Sequence, residues 1–103
     1  MNLSLVITTV SRSKAARLAK RVVEKRLAAC GNIVDVKSIY WWKGSLRDEG
    51  EALIVFKTTE ARARELRLFL EREHPYDVPE IVQVEPGHVN RKYLRWVLES
   101  VAG

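Results

Sequence analysis

Cys30 and His74 are the residues whose side-chain chemistry stands out in this chain. A thiolate and an imidazole suit copper or zinc. Glu73 directly precedes His74, so Glu73 and His74 could supply half of a weak metal site. No Cys-x-x-Cys and no His-x-x-x-His pattern occurs, which argues against a closed structural zinc site within one chain. The alternatives are a helix-terminal His74 that interacts with free carbonyls and a Cys30 that packs as a small apolar residue.

Catalytic motifs are missing from the sequence. A nucleophile needs an adjacent base and a group that orients the base, and the sequence contains no G-x-S-x-G elbow, P-loop or G-x-G-x-x-G. We therefore predict that the protein is not an enzyme and that it needs no organic cofactor. Lys57, at the end of an apolar run, could bind an anion, or its side chain could simply reach water.

The apolar pattern places these residues on an α+β fold with the order β-α-β-β-α-β and a C-terminal helix. Apolar residues that alternate with polar ones, or that form short continuous runs, indicate strands, and apolar residues at i, i+3 and i+4 indicate helices. Ser, Thr, Asn, Gly and Pro mark the ends of these elements. This order is that of a ferredoxin-like sandwich with an antiparallel sheet. The predicted strands are residues 3–10, 32–42, 46–58 and 81–84, and the predicted helices begin after Ser11 or Ser13, after Thr58 or Thr59, and after Asn90.

Two glycines have predicted roles within this order. Gly31 suits the left-handed position that ends a helix, so we expect it to end the first helix. Gly50 interrupts the third predicted strand, and an isolated glycine in a strand is typical of a β-bulge.

The hairpin between the second and third strands is long for its domain. A strand of about 11 residues spans roughly 37 Å, whereas a domain of this size has a radius of gyration of about 13 Å. Tyr40, Trp41 and Trp42 follow one another at its tip, and because neighbouring strand residues face opposite sides, at least one ring must point away from the core. We predict that these rings dock against a neighbouring subunit; the alternative is that the last helix covers them.

Composition narrows the possible classes of protein further. The 103 residues form one domain, 1–103, with 47% apolar residues and a net charge of +5. Residues 11–30 carry seven bases and one acid, which fits a solvated helix face or a functional patch. The single cysteine excludes an intrachain disulfide, and we expect no signal peptide and no membrane span, hence the cytoplasm. The sequence contains a single glutamine, Gln83. Because glutamine is chemically unstable at high temperature, its scarcity fits a heat-loving source.

RNA binding is a further class that this order of elements allows. An RNA recognition motif has the same order and carries aromatic residues on its central strands. The third strand here reads Leu53-Ile54-Val55-Phe56, and the aromatic residues lie at the hairpin tip instead. We therefore expect no nucleic acid partner.

Three local runs carry a resemblance to a known family. They are residues 26–33 (RLAACGNI), 38–44 (SIYWWKG) and 74–81 (HPYDVPEI). With Lys57-Thr58 between them and Tyr93-Leu94-x-Trp96 after them, the chain closely resembles the CutA divalent-cation-tolerance family along essentially its whole length. The resemblance implies a ferredoxin-like subunit and a tight homotrimer in which strands of neighbouring subunits pair. It also implies copper tolerance and binding, and a trimer similar to the PII signalling proteins with clefts between subunits.

The chain departs from this family at two positions. Some members carry a cysteine on the first strand and a second histidine before His-Pro-Tyr, which are their proposed copper ligands. Ile7 and Glu73 hold these positions here, so only His74 matches the family's ligand set.

Two functional hypotheses follow. The first is a non-enzymatic homotrimer that binds copper or another divalent metal weakly through His74 and Glu73, with Cys30 as a soft partner. The second is a PII-like sensor or scaffold that binds a small anionic ligand or a partner protein in the intersubunit cleft near Lys57, Tyr40 and Glu80. Tyr40, Trp41 and Trp42 belong to the interface in both. A third hypothesis, an acylphosphatase-like hydrolase, is disfavoured. Such enzymes carry a glycine-rich loop with an arginine after the first strand, and residues 8–12 contain no glycine.

Overall fold

The secondary structure follows the predicted order. The computed structural model describes residues 2–102. Most element boundaries fall within two residues of the prediction, and the N-cap of the second helix is Thr59, whose side chain accepts a hydrogen bond from the Arg62 amide. The elements are β1 (Leu3–Val10), α1 (Arg12–Glu24), β2 (Cys30–Trp42), β3 (Ser45–Thr59), α2 (Glu60–Glu73), β4 (Val82–Val84) and α3 (Arg91–Ala102).

The sheet has the strand order β2-β3-β1-β4, with every neighbouring pair antiparallel. This confirms the predicted ferredoxin-like α+β class. One face of the sheet is covered by α1 and α2 and holds the main core, whose centre is Phe56, Ile54 and Val6, all fully buried. The opposite face, which we call the open face, presents alternate residues such as Leu53, Val55 and Lys57.

The last helix covers only one end of the open face. Helix α3 packs against β3 through its buried residues Val97 and Val101. The Tyr93 phenol lies beside Cys30, which pairs with Lys57 at the start of β2. Within the described residues, 2–102, no helix covers the rest of the open face towards the hairpin.

The β2–β3 hairpin extends well beyond the core as an arm, defined as residues 36–51. Its register is continuous from Cys30↔Lys57 to Trp42↔Ser45. The turn consists of Lys43 and Gly44, both with positive φ, as two-residue hairpin turns require. The arm lengthens the molecule to 44 Å against 26 and 20 Å in the other directions, as the sequence predicts.

Both glycine predictions were wrong. Helix α1 ends at Glu24, and Arg26 takes the left-handed conformation with φ 57°, while Gly31 lies within β2. The reason for glycine at 31 is the close approach of Phe56, because a Cβ there would lie 2.9 Å from the ring atom Cε1. No bulge occurs at Gly50, which pairs with Lys37 in an uninterrupted ladder and lies beneath the Arg12 guanidinium.

The helices of the described chain are too short to cross a bilayer. Among residues 2–102, no helix combines the length and the apolar character that a membrane span needs.

Candidate functional site

A cavity of about 710 Å³ lies on the open face, where the arm leaves the sheet. The ends of β1 and α2 meet the arm here, because the chain passes from α2 back across β1 in the segment 74–80. Alternation along β2 and β3 turns every second arm side chain towards this cavity. Its lining residues are Thr9, Ser11, Ser38, Ile39, Tyr40, Trp42, Arg47, Glu49, Glu51, Tyr76, Asp77, Val78 and Glu80.

The floor of the cavity is a hydrogen-bonded pair formed by Glu51 and Tyr76. The Tyr76 hydroxyl donates to Glu51 Oε2 over 2.6 Å, and Glu51 is only 6% exposed. Burial first, and then the Glu51 carboxylate, raise the pKa of Tyr76, because a phenolate beside a carboxylate in a poorly solvated place is unfavourable. The phenol therefore stays protonated and acts as a donor.

His74 lies behind this pair and is tied to the chain through both ring nitrogens. Nε2 lies 2.8 Å from the Thr9 carbonyl, and Nδ1 accepts a hydrogen bond from the Tyr76 amide over 3.1 Å. These partners assign the neutral tautomer with the proton on Nε2. Burial lowers the pKa of His74, although the bond to Thr9 opposes this shift. His74 thereby fixes the backbone that places the Tyr76 ring.

This arrangement predicts that acid destabilises the chain through His74. Because the pKa of the folded ring is lowered from 6.5, the unfolded chain binds the proton more tightly, so the free energy of unfolding falls as the pH drops below about 6.5. Denaturant titrations at pH 7.5 and 5.5 should show this loss, and His74→Gln, which retains a donor for Thr9, should reduce it. An equal pH dependence in both proteins would contradict the assignment.

Glu73 and His74 are adjacent in sequence but their functional groups point to different partners. Glu73 Oε1 accepts a 2.8 Å hydrogen bond from Arg21 on α1, and Oε2 lies 3.4 Å from Arg72. The Arg21 bond first, with help from Arg72, lowers the pKa of Glu73 against the opposing effect of desolvation. Any metal at this pair would therefore compete with contacts that both side chains already make.

Cys30 and Lys57 lie at the other end of the sheet from the cavity. They pair with each other across β2 and β3, and Lys57 is six residues along β3 from Glu51, about 20 Å for an extended strand. Cys30 is a partly exposed free thiol whose Sγ lies 3.7 Å from Asn32 Oδ1. Within residues 2–102, no three Cys, His, Asp or Glu side chains converge closely enough to hold a metal ion.

The predicted interface residues divide between the two faces of the arm. Tyr40 and Trp42 face the cavity, as does Glu80, which lies 3.5 Å from the Thr9 hydroxyl. Partial burial and the charge of Glu49 raise the pKa of Tyr40. Trp41 points the other way and is 73% exposed, so α3 does not cover it.

Several cavity residues were missed by the sequence reasoning. Arg47, Glu49 and Glu51 were treated as ordinary residues of the third predicted strand, 46–58. A signal was present, because Glu51 opens an otherwise apolar run, Ala52–Phe56, where a carboxylate is unexpected. Alternation alone puts these three residues on one face of β3, but their meeting with Tyr40 depends on the register of β2 and β3.

Comparison with known proteins gives consistent matches along the chain. A family model described as CutA1 divalent ion tolerance protein matches residues 4–100. The chain is 42% identical to the divalent-cation tolerance protein CutA of Thermus thermophilus, over 93% of this chain and 94% of that one. The CutA1 structure from Ehrlichia chaffeensis superposes with a TM-score of 0.94 at 32% identity, covering 99% of this chain and 97% of that one. A structure from Nostoc sp. PCC 7120, named a PII-like protein CutA, gives 0.91 at 29% identity, covering 95% and 96%.

Proposed function

The chain belongs to the CutA1 divalent ion tolerance protein family, and we propose that it acts as a cytoplasmic homotrimer that takes part in the response to divalent metal ions. The domain spans residues 1–103 and has no catalytic role. The names of its relatives describe a tolerance protein rather than an enzyme, and they support this assignment.

The exposed apolar surface of the arm carries the proposal of a trimer. Trp41 and Leu46 are direct cross-strand partners, and with Ile39 they form an apolar surface that is 62–73% exposed. Such a patch is unfavourable in water and marks a contact surface. Covering Trp41 alone removes enough area to stabilise the assembly by about 3–4 kcal/mol per chain.

The sheet offers a second surface for the same assembly. Strands β2 and β4 are its edges, and open edges pair readily with another chain. On the open face beside them Val34, Val82 and Val84 are 39–52% exposed. A neighbouring subunit that pairs with an edge would also bury these side chains.

Weak binding of copper or another divalent cation is the proposed link to metal tolerance. His74, Glu73 and Cys30 supply imidazole, carboxylate and thiol groups, which suit such ions. They do not fit one common site within a chain, since Glu73 and His74 are held by Arg21 and Thr9 and Cys30 lies at the other end of the sheet. The expected affinity is therefore low, and a stronger site requires donors from another subunit.

Calorimetric titration with copper tests this proposal on samples whose mass is checked by light scattering. Three chains of 11.8 kDa give about 35 kDa. His74→Gln and Glu73→Gln should each weaken copper binding by roughly tenfold or more, since even outer ligands contribute that much. His88→Gln and Glu71→Gln are the matched controls, because both residues are exposed. No heat even at millimolar copper, or equal heats in all variants, would contradict the metal site.

The cavity on the open face supports a second candidate function, a PII-like sensor that binds a small ligand beside Tyr40, Trp42 and Glu80. A volume of about 710 Å³ lies within the usual range for small-molecule sites. Lys57 lies away from the cavity. The lining of the cavity contains four carboxylates and one guanidinium, that of Arg47. The charge of the lining therefore favours a cationic ligand over the anionic one that the sequence suggested.

A further inference from the structure

Glu51 is a buried carboxylate that has no cationic partner among residues 2–102. Oε2 accepts the Tyr76 hydrogen bond, and across residues 2–102 no Lys, Arg or His side chain forms an ion pair with Glu51. Arg12 is nearby, but its Nε contacts the Glu51 carbonyl and Asp35 Oδ1 instead. A buried charge without a counter-charge is costly, so this carboxylate is poised to accept a cation from outside.

The cavity above Glu51 carries a negative charge, which also favours a cation. Glu49, Asp77 and Glu80 line it together with Glu51, while Arg47 is the one base in the lining and lies 3.9 Å from Glu49. Carboxylates focused in a concave surface raise the local concentration of cations. The four groups are spread around a volume of about 710 Å³ rather than gathered at one point.

Aromatic rings form the remaining walls. Tyr40, Trp42 and Tyr76 line the cavity, and the Lys43 ammonium lies 5.7 Å from the centroid of the Trp42 ring. A cation within about 6 Å of a ring face is attracted to it. An ammonium group therefore already lies over the Trp42 ring in this structure.

We propose that this cavity binds a linear organic polyamine, with one ammonium group on Glu51, further ammonium groups on the other carboxylates, and the methylene chain against the Trp42 and Tyr40 rings. The inference rests on the second candidate function, that of a ligand-binding cavity, and names its ligand class. A single divalent ion fits less well, because no three ligating side chains converge within residues 2–102. Ammonium groups several ångströms apart match separated carboxylates.

Spermidine is the probe, titrated by calorimetry into the full-length protein at fixed ionic strength. Glu51→Gln removes the charge and keeps an acceptor for Tyr76, and it should weaken spermidine binding by roughly tenfold or more, as expected for a lost charged hydrogen bond. Glu71→Gln removes the same charge from the exposed surface of α2 and should leave the affinity unchanged. The neutral diol 1,4-butanediol should give no heat.

Tyr76→Phe provides a second test if Glu51→Gln fails to fold. It keeps Glu51 charged but removes the hydrogen bond that orients the carboxylate, so spermidine should still bind, more weakly than to the wild type. Equal affinity in the wild type and in both cavity variants would overturn the inference, because binding would then reflect net charge alone. Absence of binding at millimolar spermidine would also overturn it, as expected if a neighbouring subunit fills the cavity.

The same samples separate this inference from the proposed function. Copper heats and light-scattering masses are recorded for each variant alongside the spermidine titration. Loss of spermidine binding with the trimer mass and copper heat unchanged bears on the cavity alone. A wild-type mass of one chain would count against the assembly, whatever the spermidine result.

Discussion

The Trp41→Glu variant is expected to elute and scatter light as a single chain of about 11.8 kDa, whereas the unaltered chain gives about 35 kDa. The indole is 73% exposed within one chain, so its replacement removes no contact from the core. A charge at this position would have to be desolvated against Leu46 and Ile39 of the arm and against whatever covers them in the assembly. The loss of the apolar area, about 3–4 kcal/mol per chain, adds to that penalty.

The matched control for this prediction is Leu68→Glu. Leu68 is also an exposed large apolar residue, at 49%, but it lies on α2 away from the arm. The variant should keep the mass of three chains. A Trp41→Glu protein that still weighs three chains would show that the arm does not carry the assembly. Circular dichroism should be unchanged in both variants, because neither residue belongs to the core.

The element order was predictable because it depends on periodicity and end signals that lie close together in the sequence. The run Leu3–Val10 matches β1 to the residue, and His74 follows the last helical residue before Pro75, as the constraint that proline places on its neighbour requires. An exposed ring at the hairpin tip was expected because the strand is longer than the core, but the sequence did not say that Trp41 would be this ring. These features need no knowledge of which strands pair.

The candidate site was only partly predictable, since it depends on pairing and on contacts distant in sequence. Tyr40 and Glu80 were expected near a cleft, but the partner of Tyr76 is Glu51, 25 residues earlier. Lys57 was expected in the same intersubunit cleft, and within one chain the register puts it near the other end of β3. Whether residues of different elements share a site depends on the pairing register and on assembly, which local patterns do not encode.

Gly31 shows how a glycine can be misread when only local rules are applied. Its position after α1 suggested a helix end, which is a common use of glycine. The structure gives it a different role, because its Cα lies under the ring of Phe56 on the neighbouring strand. That contact depends on the antiparallel pairing of two segments 25 positions apart, and it makes a prediction about stability.

Phe56→Ala is expected to lower the free energy of unfolding by about 3–5 kcal/mol, the usual loss when a buried phenylalanine is truncated. Phe56 is fully buried at the centre of the core. Gly31→Ala alone should also destabilise the fold, by about 1–3 kcal/mol, because its Cβ would lie 2.9 and 3.0 Å from two ring atoms of Phe56. Both are measured by denaturant unfolding at one fixed chain concentration, since assembly adds to stability.

The combination of the two substitutions distinguishes this contact from general damage to the core. Once the Phe56 ring is gone, the Cβ of Gly31→Ala no longer meets it and occupies part of the space that it left. The double variant should therefore be more stable than the sum of the single losses by about 0.5–3 kcal/mol, the range for residues in contact. Val10→Ala is the control partner, because Val10 is buried but pairs with Ala52, four residues along β3 from Phe56, roughly 13 Å in an extended strand. Its loss should add to that of Gly31→Ala, and strict additivity in the Phe56 pair as well would mean that the ring does not account for glycine at position 31.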